Sequence, residues 1–158
     1  LLRSTPALFP VGEHQKVAVI SPEASLCEAM SRRFPGALTM TVSAYPSPES
    51  REGLKKQARA LASRADVVVV AVSNSRQLEL VTNAALSGTP VIAVVLGAPY
   101  LAGQAHQAKV VLATYSVREE ATEAAAAALA GEQGTPGKLP VTLPRLKFGY
   151  GLNVAARH

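Results

Sequence analysis

"DVVVVAV", Asp66 to Val72, decides the architecture of this chain. Six successive apolar residues after an aspartate are too few for a core helix and carry no in-out alternation, so they specify a strand covered on both faces. Similar runs flank it: "KVAVI" at 16–20, "ALTMTV" at 37–42, "PVIAVVL" at 90–96 and "KVVLATY" at 109–115. Between them lie stretches of helical pattern near 24–33, 49–63, 76–87 and 118–130. Strands alternating with helices build a parallel sheet with helices on each side. The expectation is an α/β fold: a three-layer α/β/α sandwich of five mainly parallel strands in the flavodoxin-like order 2-1-3-4-5.

Local chemistry marks the borders. "SPEAS" places Ser21 and Pro22 at a helix start, and "SGTP" closes the third helix with Gly88 at a left-handed cap before Pro90 opens the next strand. After the fourth strand, "GAPYLAGQAHQA" has no periodicity. The helix between strands four and five is therefore expected to be short or absent, leaving a loop suited to function or to a domain contact.

The chain has 158 residues, of which 48% are hydrophobic, enough for one domain with a full core. No apolar run approaches the roughly 18 residues that span a bilayer, so no membrane segment is expected. The opening "LLRSTPALFP" reads as the interior of a longer gene product, with no secretory leader. A single cysteine, Cys27, excludes an internal disulfide and a cysteine-built metal cage and leaves the compartment open. The formal charge is +5, but the basic residues are spread along the chain and aromatics make up 4%. Nucleic acid is not an expected partner, since it calls for a clustered basic stripe or stacking platforms.

Ligands of open α/β sheets gather at the carboxyl ends of the strands. Those ends read Ser21-Pro22-Glu23, Ser43-Ala44-Tyr45, Ser73-Asn74-Ser75-Arg76, Gly97-Ala98-Pro99-Tyr100 and Thr114-Tyr115-Ser116. The set is polar and almost free of carboxylates. Glu23 is the exception, and as an early helix residue it also suits the helix dipole. Asp66, the only aspartate, opens its strand at the opposite end and is expected to meet a backbone donor or a basic residue. No carboxylate pair for acid/base work can be assembled, and His14, His106 and His158 have no metal or triad spacing. "GEQGTPGKL" imitates a phosphate loop, yet it has leucine where Ser or Thr must meet magnesium and it follows a helix. "SPEASL" after the first strand lacks the glycines of a dinucleotide turn. No cofactor is expected.

The succession "ADVVVVAVSNSRQLELV", "SGTPVIAVVLGAPYLAG", "VVLATYS", "GEQGTPGKLPVTLP" and "FGYGL" resembles the C-terminal α/β domain of glycoside hydrolase family 3, most closely that of bacterial two-domain β-N-acetylhexosaminidases. The resemblance implies a non-catalytic accessory domain, because the family's nucleophile stands on an N-terminal (β/α)8 barrel that this stretch does not contain. It implies that barrel as partner, with carbohydrate as a second one, and an organisation of lead-in segment 1–15, sandwich 16–133 and extended Pro/Gly-rich tail 134–158. The tail, with prolines at 136, 140 and 144, can form neither helix nor central strand. Leu139, Val141, Leu143 and Phe148 are expected to dock it on the domain or the barrel.

Ser73, Asn74, Arg76, Tyr100 and Tyr115 are the residues expected to face barrel or sugar, since amides, guanidinium groups and tyrosine rings suit planar polar ligands. Asn74 and Ser75 equally suit capping of the third helix, Arg76 a surface charge, and the tyrosines packing on loops. Two other classes fit the same residues: a free-standing flavodoxin-like binding module, and a hydrolase using Ser21, Ser73 or Ser116. The second lacks a G-x-S-x-G elbow and a placeable acid.

Overall fold

The computed structural model describes residues 1–157; His158 lies outside the described residues. Five strands, β1 (Val17–Ser21), β2 (Leu38–Thr41), β3 (Val67–Val72), β4 (Val91–Val95) and β5 (Val110–Ala113), form one sheet in the order β2-β1-β3-β4-β5. All four pairings are parallel. The valine runs earn this arrangement by feeding two cores at once. Val19, Val69, Ile92 and Val110 stand in one row across β1, β3, β4 and β5 and face one helical layer. Their neighbours Ile20, Val70 and Ala93 form a row on the other face. Each side chain is fully buried, so strict pleat alternation divides an unbroken apolar run between two interiors.

Helices α1 (Ala24–Arg33) and α4 (Glu119–Leu129) cover the first face, where Leu26, Met30, Ala125 and Leu129 join the core. Helices α2 (Pro48–Ala62) and α3 (Arg76–Ala85) cover the second with Ala58, Ala62, Leu80, Val81 and Ala84. Alanines at these contacts let helix and sheet approach closely. Ser47 caps α2 by accepting from Ser50 N, with Pro48 at its first turn. Gly88 follows α3 at φ 86°, the left-handed conformation that spares glycine a steric penalty. A 3₁₀ turn, Pro99–Gln104, stands in place of a full helix between β4 and β5. Asp66 accepts from Lys16 N at 2.8 Å, joining the starts of β1 and β3.

The two sheet edges differ. At β2, Thr39 and Thr41 are exposed while Leu38 and Met40 are half buried, so this strand alternates where both faces were expected to be covered. An edge strand has a neighbour on one side only, so Thr39 and Thr41 stay exposed even though Thr41 Oγ1 reaches Cys27 Sγ on α1. The β5 edge is closed by the N-terminal segment, where Leu2 N donates to Val111 O at 2.8 Å and Arg3 bridges Val111 in antiparallel sense.

The tail runs back over the same flank. Leu139 and Leu143 are 1% and 3% exposed, Leu139 N donates to Tyr150 O, and Leu152 N donates to Leu1 O at 2.8 Å. Arg157 reaches the carbonyls of Pro10 and Val11. Phe148 does not pack on this domain: it is 72% exposed, next to Gly149, where the chain turns at φ 78°. Among the described residues no helix is long and apolar enough to cross a membrane.

Candidate functional site at the strand ends

The carboxyl ends of β2 and β3 are joined by one buried amide. Gln77, on the inward face of α3 and 1% exposed, accepts from Ser73 N, Ser73 Oγ and Asn74 N through Oε1. Its Nε2 donates to Ala44 O at 2.9 Å, and Asn74 Nδ2 donates to the same carbonyl, also at 2.9 Å. Asn74 Oδ1 in turn accepts from Arg76 N, starting α3. Asn74 thus caps the helix and ties two loops together, while Ser75 makes no capping bond through its side chain. With every polar atom engaged, the amide network holds both loops in one conformation.

Arg76 projects from this frame over the ring of Tyr45, 5.3 Å from its centroid. Tyr45 is 71% exposed, so an aromatic ring and a guanidinium plane stand open together. Beside them Glu79 pairs with Arg51 and lies 3.7 Å from Lys55, so that carboxylate is flanked by two cations. The recess between Arg76 and Arg51 holds about 10 Å³, the size of a single water. On the first strand, Ser21 Oγ is occupied in a local turn with the backbone of Glu23.

Ser73, Asn74 and Arg76 therefore form one group. Tyr115 follows β5 in the left-handed region at φ 59°, and burial pushes its phenol above the ordinary range. Thr114 and Ser116 fix this bend, with Thr114 Oγ1 donating to Ser116 O. Tyr100 is 60% exposed and lines a separate cleft with Arg3, Gln104, His106 and Arg145. The five expected residues thus fall into three places. Among the described residues, no three His, Cys, Asp or Glu side chains gather as a metal site.

Sequence reasoning passed over Gln77 and did not single out Tyr45. Gln77 had a readable signal: it shares a helical stripe with Leu80, Val81 and Ala84, and a glutamine in an apolar stripe must find partners. Tyr45 had none beyond its place after β2, because its partner Arg76 arrives through the sheet order.

The sheet order, the helices on both faces and a ligand-type rim at the strand ends define a flavodoxin-like α/β domain. The chain matches the glycosyl hydrolase family 3 C-terminal domain over residues 1–154 and belongs to that family. Among solved structures it is similar to a fungal multi-domain family 3 β-N-acetylglucosaminidase, with 18% identity and a TM-score of 0.71 over 96% of this chain and 18% of that one. A family 3 β-N-acetylglucosaminidase from Paenibacillus sp. str. FPU-7 aligns with 84% of this chain and 28% of its own, at 18% identity and TM-score 0.68. A family 3 exo-β-xylosidase, solved with a xylobiose aziridine probe, gives 16% identity and TM-score 0.67 over 90% of this chain and 23% of its own. The chain thus spans less than a third of each of these proteins, and the likeness concerns the fold. No curated protein matches.

Proposed function

We propose that the chain serves as the non-catalytic C-terminal accessory domain of a family 3 glycoside hydrolase of the β-N-acetylhexosaminidase type, seated on an N-terminal (β/α)8 barrel that performs the hydrolysis. The observation that carries this reading is the strand-end rim. It offers a rigid set of donors and open aromatic and guanidinium planes, while the carboxylate beside it, Glu79, is held between Arg51 and Lys55. A general acid for glycoside cleavage works with a second carboxylate across the cleft; Glu79 has instead two cations as its neighbours and no carboxylate facing it among the rim residues.

In this reading Ser73, Asn74 and Arg76, with Tyr45, face the barrel or the edge of its sugar cleft, and Tyr115 extends the same rim. Tyr100 presents a second contact from the β4–β5 connection. Residues 16–133 are the sandwich, and 1–15 and 134–157 are straps that tie its open flank. That the solved relatives are several times longer supports a partner domain in the parent protein.

The test is an assay of the chain on chromogenic N-acetylglucosaminide and glucoside substrates, alone and with the parent barrel added in trans. The expected result is no turnover alone and a rise in the barrel's stability or turnover on mixing, reduced by Arg76→Ala. Turnover by the chain alone would overturn the accessory role.

A further inference from the structure

The cleft around Tyr100 is the largest cavity described and lies outside the β2–β3 rim. About 660 Å³ in volume, it opens between the N-terminal segment, the 3₁₀ turn and the tail. Three stretches build it, and none of them carries a carboxylate: no Asp or Glu occurs in 1–12, 80–118 or 133–158. The basic side chains that line it are those of Arg3, His106 and Arg145. Away from the cleft, Arg32 and Arg33 pair with Glu123 and Arg51 with Glu79.

Both arginines are held in place from behind. Arg3 Nη1 donates to Ala105 O at 3.0 Å and to Ala108 O at 2.8 Å, and its backbone is bonded to β5. Among the described residues, no acceptor meets its Nε or Nη2, nor any side-chain nitrogen of Arg145 or His106. Arg145 sits at the tip of a tight turn closed by Leu146 N donating to Leu143 O at 3.0 Å, with Leu143 anchored in the core. Pro144 takes the second position of that turn and Arg145 the third, at φ 69°. This position favours glycine or asparagine, and a long side chain there is strained. A turn that accepts this strain in order to present a guanidinium at a cleft mouth is built around that guanidinium.

We propose that this cleft binds a carboxylate-bearing saccharide. Guanidinium forks match a carboxylate in two parallel bonds, and the exposed Tyr100 ring at the rim supplies a stacking face for a pyranose, with the Gln104 amide for its hydroxyls. The anion follows from the lining alone; the saccharide rests on the family 3 reading above.

Trigalacturonate titrated into the ¹⁵N-labelled chain tests this, with chitotriose and inorganic phosphate as comparisons. The expected result is amide shifts confined to 2–3, 100–111 and 143–146, with trigalacturonate at least about tenfold tighter than either comparison. Arg145→Gly is the decisive variant, because glycine relieves the turn while deleting the guanidinium. It is expected to keep or raise the melting temperature and to weaken trigalacturonate at least about fivefold. Equal binding of phosphate would make this a simple anion site, and equal binding of chitotriose a neutral-sugar site. Either result, absence of shifts at about 10 mM, or undiminished binding by the variant overturns the proposal. The readout is independent of any barrel, so failure of the trans-complementation assay leaves it untouched.

Discussion

The sandwich and the straps around it are held together by different physics. In the sandwich, rows such as Val19, Val69, Ile92 and Val110 repeat one solution, apolar burial under helices, and any single row resembles the next. In the straps nothing repeats. Thr135 exchanges bonds with Val154 and Leu152, Leu139 with Tyr150 and Gly149, and Arg157 with Gly131, Pro10 and Val11. Burial in the sandwich is distributed over many equivalent positions, whereas the straps depend on a few contacts that have no substitutes.

Cutting the chain after Gly134 breaks the comparison most severely. It removes the burial of Leu139 and Leu143, worth about 4 kcal/mol together, and uncovers the core beneath them. Thermal unfolding should shift well down, and an unchanged midpoint would mean that the straps merely lie on the surface. Ile92→Ala probes the other side. It empties a fully buried site in the sheet's central row and should cost about 3 kcal/mol by denaturant titration, less than the truncation. If the order were reversed, the sandwich would be the less redundant of the two.

Gly151→Ala sharpens the contrast at a single atom. A Cβ there would collide with the carbonyl oxygen of Gly137, a backbone contact that no rotamer change relieves. The expected loss is about 2 kcal/mol, while alanine at exposed Gly53 within α2, where a Cβ meets nothing, should be neutral or slightly stabilising. The smallest effect belongs to the surface ion pairs between α1 and α4. The Arg33 guanidinium holds the Glu123 carboxyl below its ordinary 4.5. The contribution of this pair is fully present above that pH and fades as pH falls through the lowered folded-state value. Glu123→Gln should flatten that part of the stability–pH curve and leave the region above pH 6 nearly parallel to that of the parent chain.

The sandwich was legible because its physics is periodic. Every strand and helix follows from apolar runs and their spacing, and the topology follows from the few ways parallel crossovers can be arranged. Even the aperiodic stretch before β5 announced the missing helix. The straps were legible only in outline, since prolines at 136, 140 and 144 exclude regular structure without saying where an extended chain will lie. Leu139 and Phe148 look alike in sequence, yet one is buried and the other open, next to the turn at Gly149. The rim was half legible. Ser73, Asn74 and Arg76 followed from the end of β3, but the pairing of Arg76 with Tyr45 needs two loops that meet only across the sheet, and Arg145 stood out only once its backbone conformation was known.

The hydrogen bond from Leu152 N to the Leu1 carbonyl lays the tail beside the lead-in segment, so the two straps form one clasp across the β5 flank. A clasp of two segments opens as a unit: loosening either one frees the other.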